Sequence, residues 1–175
     1  STLTKLGAGT LTLAGNNTNS GTTTISAGTL QIGAGGPSGS LGSNIINNAN
    51  LAFNRSDNIS FSRAISGTGN LTQLGAGNLT LTGSNSYTGS TTVGGTGTLR
   101  VQGSIAPSSG LTVNSGATLA GNGTISGTTI NAGGILAPSN AGSSALAITG
   151  GSGSLTLASG SISNFSIVGG NSDRV

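Results

Sequence analysis

The sequence predicts an all-β chain wound as a right-handed parallel β-helix of roughly eight rungs, about 20 residues to the rung. Three observations predict it. Short clusters of alternating apolar and polar residues recur along the 175 residues, and this two-residue period belongs to a strand with one buried face. The 34 glycines, together with many Ser, Thr and Asn residues, separate the clusters and supply the backbone conformations that tight turns need. A long segment also repeats: Leu3–Ile25 aligns without a gap on Leu71–Val93, 68 positions further on, with 14 identities in 23 positions.

The alternating clusters, in chain order, are Thr10–Gly15 (TLTLAG), Gly28–Gly33 (GTLQIG), Asn78–Gly83 (NLTLTG), Gly97–Gly103 (GTLRVQG) and Ser154–Gly160 (SLTLASG). In each, Leu, Ile or Val at every second position makes an apolar face, while Thr, Gln or Arg points the other way. Composition alone resembles that of a disordered tract. The ordered placement of the apolar residues argues for a folded chain instead. Helix formers are scarce, and no apolar stripe recurs at the helical period.

Within the repeat, Leu6, Gly7, Gly9, Leu11, Leu13, Gly15, Asn17 and Gly21 fall on Leu74, Gly75, Gly77, Leu79, Leu81, Gly83, Asn85 and Gly89. One extra residue then shifts the alignment, and Leu30 and Ile32 meet Leu99 and Val101. The repeat units are therefore 3–32 and 71–101. Weaker variants follow at Gly110–Gly127 and Thr128–Ser139, within degenerate rungs spanning 110–170. Units this small cannot bury their own apolar faces and must stack on one another. A propeller would show aromatic signals in every blade, and this chain has one Tyr, three Phe and no Trp. Stacking at about 4.8 Å gives a rod about 40 Å long, read as a single segment, 1–175, of a longer chain. Asn17, Asn85, Asn114 and Asn131 sit at turns, where side-chain ladders between rungs and plain turn preference are both open.

Charge is nearly absent. Lys5, Arg55, Arg63, Arg100 and Arg174 stand against Asp57 and Asp173, and the chain has no His, Cys or Met. General acid–base catalysis needs tuned titratable pairs, and the two carboxylates are far apart. Zinc, haem and iron–sulfur sites use His or Cys, and a calcium site needs several acidic ligands. The expectation is no enzyme, no catalytic, cofactor-binding or metal-binding residue, and no cofactor. Five scattered basic residues do not form a nucleic-acid footprint, so neither a nucleic-acid partner nor a small-molecule substrate is expected. There is no run of 18 apolar residues to span a membrane, and no charged start followed by an apolar stretch.

Several residues invite chemistry and read more plainly as structure. Asp57, between Arg55 and Arg63, reads as part of a charged loop bulging from the rod rather than a cation or ligand contact. Asp173 and Arg174 read as a turn. The Gly-x-Gly pairs Gly7–Gly9, Gly67–Gly69, Gly75–Gly77, Gly95–Gly97 and Gly121–Gly123 lack the full phosphate-binding spacing and read as turns. Glycosylation sequons such as those at Asn54 and Asn122 follow from composition. Tyr87, as an alternative to a sugar-stacking platform, reads as capping a turn where the first repeat has Asn19. The pairs Thr10/Thr12, Thr22/Thr24 and Thr80/Thr82 project outward. Stacked on every rung they would make an ice-binding hydroxyl array; recurring on only some, they read as ordinary β-branched strand residues.

LTKLGAGTLTLAGNNTNSGTTTISAGTLQIG (3–33) and LTQLGAGNLTLTGSNSYTGSTTVGGTGTLRVQG (71–103) closely resemble the passenger-associated transport repeat of bacterial autotransporters. Residues 50–77, which run into the start of the second copy, resemble the stretch that usually precedes such a repeat. Residues 116–142 resemble rungs near the end of a passenger, and Asn171–Val175 is similar to the turn that follows them. The resemblance implies a β-helix exported across the outer membrane of a Gram-negative bacterium by type V secretion, as the C-terminal part of a passenger. The resulting expectation is a structural stalk that supports export, folding and display. Its partners would be neighbouring rungs, or a β-barrel translocator in the parent chain. The alternative is a subunit that stacks head to tail into an extracellular filament; an adhesive or ice-binding face is a lesser one.

Overall fold

A computed structural model describes residues 1–138, 145–149 and 154–164. Among them every regular element is a strand, two to four residues long, and all pairings are parallel. The chain winds as a right-handed parallel β-helix of about seven turns, close to the roughly eight rungs expected.

Each turn visits three faces in order. On the first, Leu3–Lys5, Thr23–Ile25, Ile45–Asn47 and Ile65–Ser66 stack in register. Single bridges Ser84–Ser104–Thr124 carry this face on to Thr124–Ile125, which pairs with Ala147–Ile148. The second face is continuous: Thr10–Leu13, Thr29–Ile32, Asn50–Phe53, Asn70–Gln73, Thr91–Val93, Leu111–Val113, Thr128–Ile130 and Leu155–Leu157 form one eight-stranded sheet. The third face comes in two pieces. Asn16–Asn17 pairs with Ser40–Leu41. A six-stranded sheet then runs from Ile59–Phe61 through Asn78–Leu81, Thr98–Val101, Thr118–Gly121 and Ile135–Pro138 to Ile162–Ser163.

The alternation explains the burial. Leu99 and Val101 are fully buried, and Thr98 and Arg100, which alternate with them, are half-exposed. Inward residues from all three faces meet in one apolar cluster that runs from Ile25 to Leu136. Phe53 and Phe61 pack edge to face within it, with ring centres 5.5 Å apart, a favoured aromatic geometry. Where strand pairing lapses at corners, Asn side chains bridge the rungs. The side-chain oxygens of Asn44, Asn48, Asn58 and Asn70 accept the backbone N–H groups of Ala64, Thr68, Asn78 and Ser90, each twenty residues on.

The two repeats do not lie over one another. Leu3–Lys5 is on the first face, and its counterpart Leu71–Gln73 is on the second. Thr10–Leu13 is on the second face and Asn78–Leu81 on the third. An offset of 68 residues exceeds three turns of about 20 by roughly one face, so the second copy is rotated by a third of a turn.

Candidate functional site

Lys5 and Gln73 hold equivalent repeat positions and both point inward, 8% and 3% exposed. Each caps a glycine-rich corner from inside. Lys5 Nζ donates to the carbonyls of Gly7 and Ala27, the latter at 3.1 Å. Gln73 Nε2 donates to those of Gly75 and Gly77 at 3.2 and 2.9 Å, while Gln73 Oε1 is buried without a partner. Sequence reasoning missed both residues. The signal available was a polar residue at a position the alternation assigns to the core.

Arg55 and Asp57 correct the reading of a bulging charged loop. The Arg55 side chain is only 12% exposed and forms a bidentate pair with Asp57, at 2.8 Å from Nε and 2.7 Å from Nη2. It also donates to the carbonyls of Pro37 and Gly39, pinning the loop 33–39 on the rung above. The loops also join through Gly35 N–H to the Asn54 carbonyl and Ser56 N–H to that of Gly36. The hydrogen bonds from Arg55 hold the Asp57 carboxyl below the usual carboxylate range. Arg63 does not join them. Asp173 and Arg174 lie outside the described residues, as does the Asn171–Val175 turn.

Tyr87 is fully buried, which rules out a sugar-stacking platform. Its hydroxyl lies 2.6 Å from Thr91 Oγ1; Asn19, at the same repeat position, donates to Thr23 Oγ1 at 3.3 Å. The two residues do correspond. Burial raises the Tyr87 phenol well above its ordinary pKa of 10.0.

The Thr-x-Thr pairs are outward as expected, but they do not stack into an array. Thr12 lies opposite Gln31, and Thr80 lies between Ser60 and Arg100. A single column does persist where none was anticipated: Thr72, Thr92, Thr112, Thr129 and Thr156 are successive outward partners on the second face. Of the turn asparagines, Asn131 donates to Asn114 at 3.0 Å, a true ladder contact. Asn17 and Asn85 instead donate to backbone carbonyls, among them Ser40 and Ser104 on the next rung. Among the described residues no three His, Cys, Asp or Glu side chains gather into a metal-binding group, and no helix is long and apolar enough to cross a membrane.

The arrangement is therefore a rod with internally capped corners rather than a cleft lined by reactive groups. Comparison with known families places its two copies. The passenger-associated transport repeat matches residues 3–32 and 71–101. The chain carries passenger-associated transport repeats. A curated relative, the adhesin BmaC autotransporter of Brucella suis biovar 1 (strain 1330), is 55% identical over 53 residues, 30% of this chain. The match covers 2% of that protein, so the chain spans a small fraction of its relative. Together these matches support an autotransporter passenger fragment. No solved structure matches the chain. Each transport repeat thus has an inward Lys or Gln, a Gly-Ala-Gly corner, and an inward Thr bonded to Asn19 or Tyr87.

Proposed function

We propose that this passenger segment is a non-enzymatic stalk of an exported bacterial surface protein, supporting its export, folding and display. The observation that carries this reading is continuity: both transport repeats feed one unbroken apolar core despite lying on different faces. A rod of this kind gains rigidity from every backbone ladder and transmits it along its axis. The single β-helix segment belongs to a longer chain, exposed at the cell surface of a Gram-negative bacterium and joined to a β-barrel translocator. The adhesin name of the relative supports an adhesive parent. Neighbouring rungs of that parent are the proposed cover for Leu3, Leu11 and Leu13, which are only half-buried against the core.

Deleting 71–101 from the parent should lower the amount displayed on cells, measured by surface labelling against total protein. Unchanged display would overturn the stalk role. Electron microscopy of the purified chain addresses the competing occupant of the half-covered edge, a second copy stacked head to tail. Single rods support the parent-chain reading, and filaments would overturn it.

A further inference from the structure

Loop length does not set the register of this rod. On the second face successive partners lie 20 residues apart from Leu51 to Leu111, then 17 from Leu111 to Thr128 and 27 from Thr128 to Leu155. Turns that absorb so much slack leave a strand free to settle two residues along. A slip of two keeps Leu, Ile and Val on the inside, so the apolar columns discriminate poorly between settings.

Buried hydroxyls do discriminate. In the first repeat Thr23 Oγ1 lies 2.9 Å from Ser43 Oγ, and Asn19 Nδ2 donates to them at 3.3 and 3.5 Å respectively. In the second, the Tyr87 hydroxyl is 2.6 Å from Thr91 Oγ1, which lies 3.2 Å from Ser108 Oγ. Ser108 also donates to the carbonyls of Gly89 and Gly110, at 2.9 and 3.1 Å. Thr23, Ser43, Thr91 and Ser108 are all buried, none more than 4% exposed. Both serines lie past the end of their repeat, on the rung stacked next to it. The neighbours of these threonines in the same columns are apolar: Leu3 and Ile45 beside Thr23, Leu71 and Leu111 beside Thr91.

We propose that the Thr23–Ser43 and Thr91–Ser108 pairs are register locks, through which each repeat passes its setting to the following rung. A two-residue slip parts Thr23 from Ser43 and Thr91 from Ser108. Each buried column then loses its hydroxyl contact between rungs and keeps only the local ones to Asn19, Tyr87 and the Gly110 carbonyl, a penalty that an all-Leu column would not impose. This goes beyond the stalk reading, because it concerns how the rungs find their places.

The chain has no cysteine, so introduced pairs report register cleanly. Thr92 and Thr112 are partners across rungs, and strands about 4.8 Å apart suit a disulfide. Thr92→Cys with Thr112→Cys reads the native setting. Thr92→Cys with Asn114→Cys reads the slipped one, since two residues along the strand, about 7 Å, put Asn114 out of reach natively. The 175-residue chain is refolded under thiol–disulfide exchange with either pair. The unaltered core should yield the first cross-link and almost none of the second. Ser108→Ala, which keeps the Tyr87–Thr91 bond, and the triple change Tyr87→Phe, Thr91→Val, Ser108→Ala should each raise the slipped cross-link about five-fold, with strand content retained. A folded variant with the unaltered pattern overturns the proposal. Failure of both variants to fold also overturns it, because the hydroxyls would then be needed for folding itself rather than for register.

Discussion

Tyr87 is the sole tyrosine, and with no tryptophan in the chain it reports on the interior without interference. Its folded pKa is raised above 10.0, chiefly by burial. The unfolded phenol gives up its proton near that value, and the folded one keeps it. Stability is therefore unaffected by this group below about pH 10 and falls as pH rises beyond it. An alkaline absorbance titration should show no phenolate until the rod unfolds, in one step with loss of strand signal; a smooth titration near pH 10 in folded protein would contradict the buried placement. Arg55 sets a second test. Arg55→Ala strips donors from Asp57 and from the loop 33–39, whereas Asp57→Asn leaves the loop contacts in place. The first should cost about 1–2 kcal/mol and the second less, read from urea midpoints. The Arg55 clamp was not legible in the sequence. The alternation that turns Thr22 and Thr24 outward does put Thr23 inside, but no local pattern shows that its hydroxyl meets Ser43 on the next rung.

At the level of strands and corners, alternation was a faithful guide in most four-residue strands, though Asn50–Phe53 and Thr118–Gly121 each bury three residues in succession. Thr29–Ile32, Asn78–Leu81 and Thr98–Val101 have the expected faces inside. Two-residue strands such as Asn16–Asn17 and Ser40–Leu41 are too short to show a period, and the break in the third face went unseen with them. Corners carry their own test. A Cβ at Gly77 would collide with the backbone carbonyl of Asp57 on the rung above, while one at Gly9, the same repeat position, meets nothing. In the 175-residue chain Gly77→Ala should cost roughly 2 kcal/mol by overpacking, and Gly9→Ala should be neutral within about 0.5 kcal/mol. Equal effects in thermal unfolding would contradict the stacked corners.

For the whole molecule, stability is a sum over rungs and their interfaces. Thr91 and Leu111 are direct partners, so removing residues 91–110 takes out one full turn and brings Leu111 onto Leu71. The shortened rod should keep its strand signal per residue and unfold in one transition at a lower temperature. Removing only 91–100 moves every later strand to the wrong face and should abolish the fold. If circular dichroism showed the two deletions to be equally tolerated, the three-faced winding would be wrong. That winding also governs how the duplicated segments present themselves. Two periods run along this rod, the turn of about 20 residues and the duplication of 68, and they beat against each other like the scales of a vernier. A flat receptor aligned with one copy looks at the flank of the other. If the duplication continued, about three further copies would pass before the same motif faced the same direction again, roughly ten turns along. Such an array displays its motif as a slow screw around the shaft, so a probe raised against one copy would bind the next only after rotating about the axis.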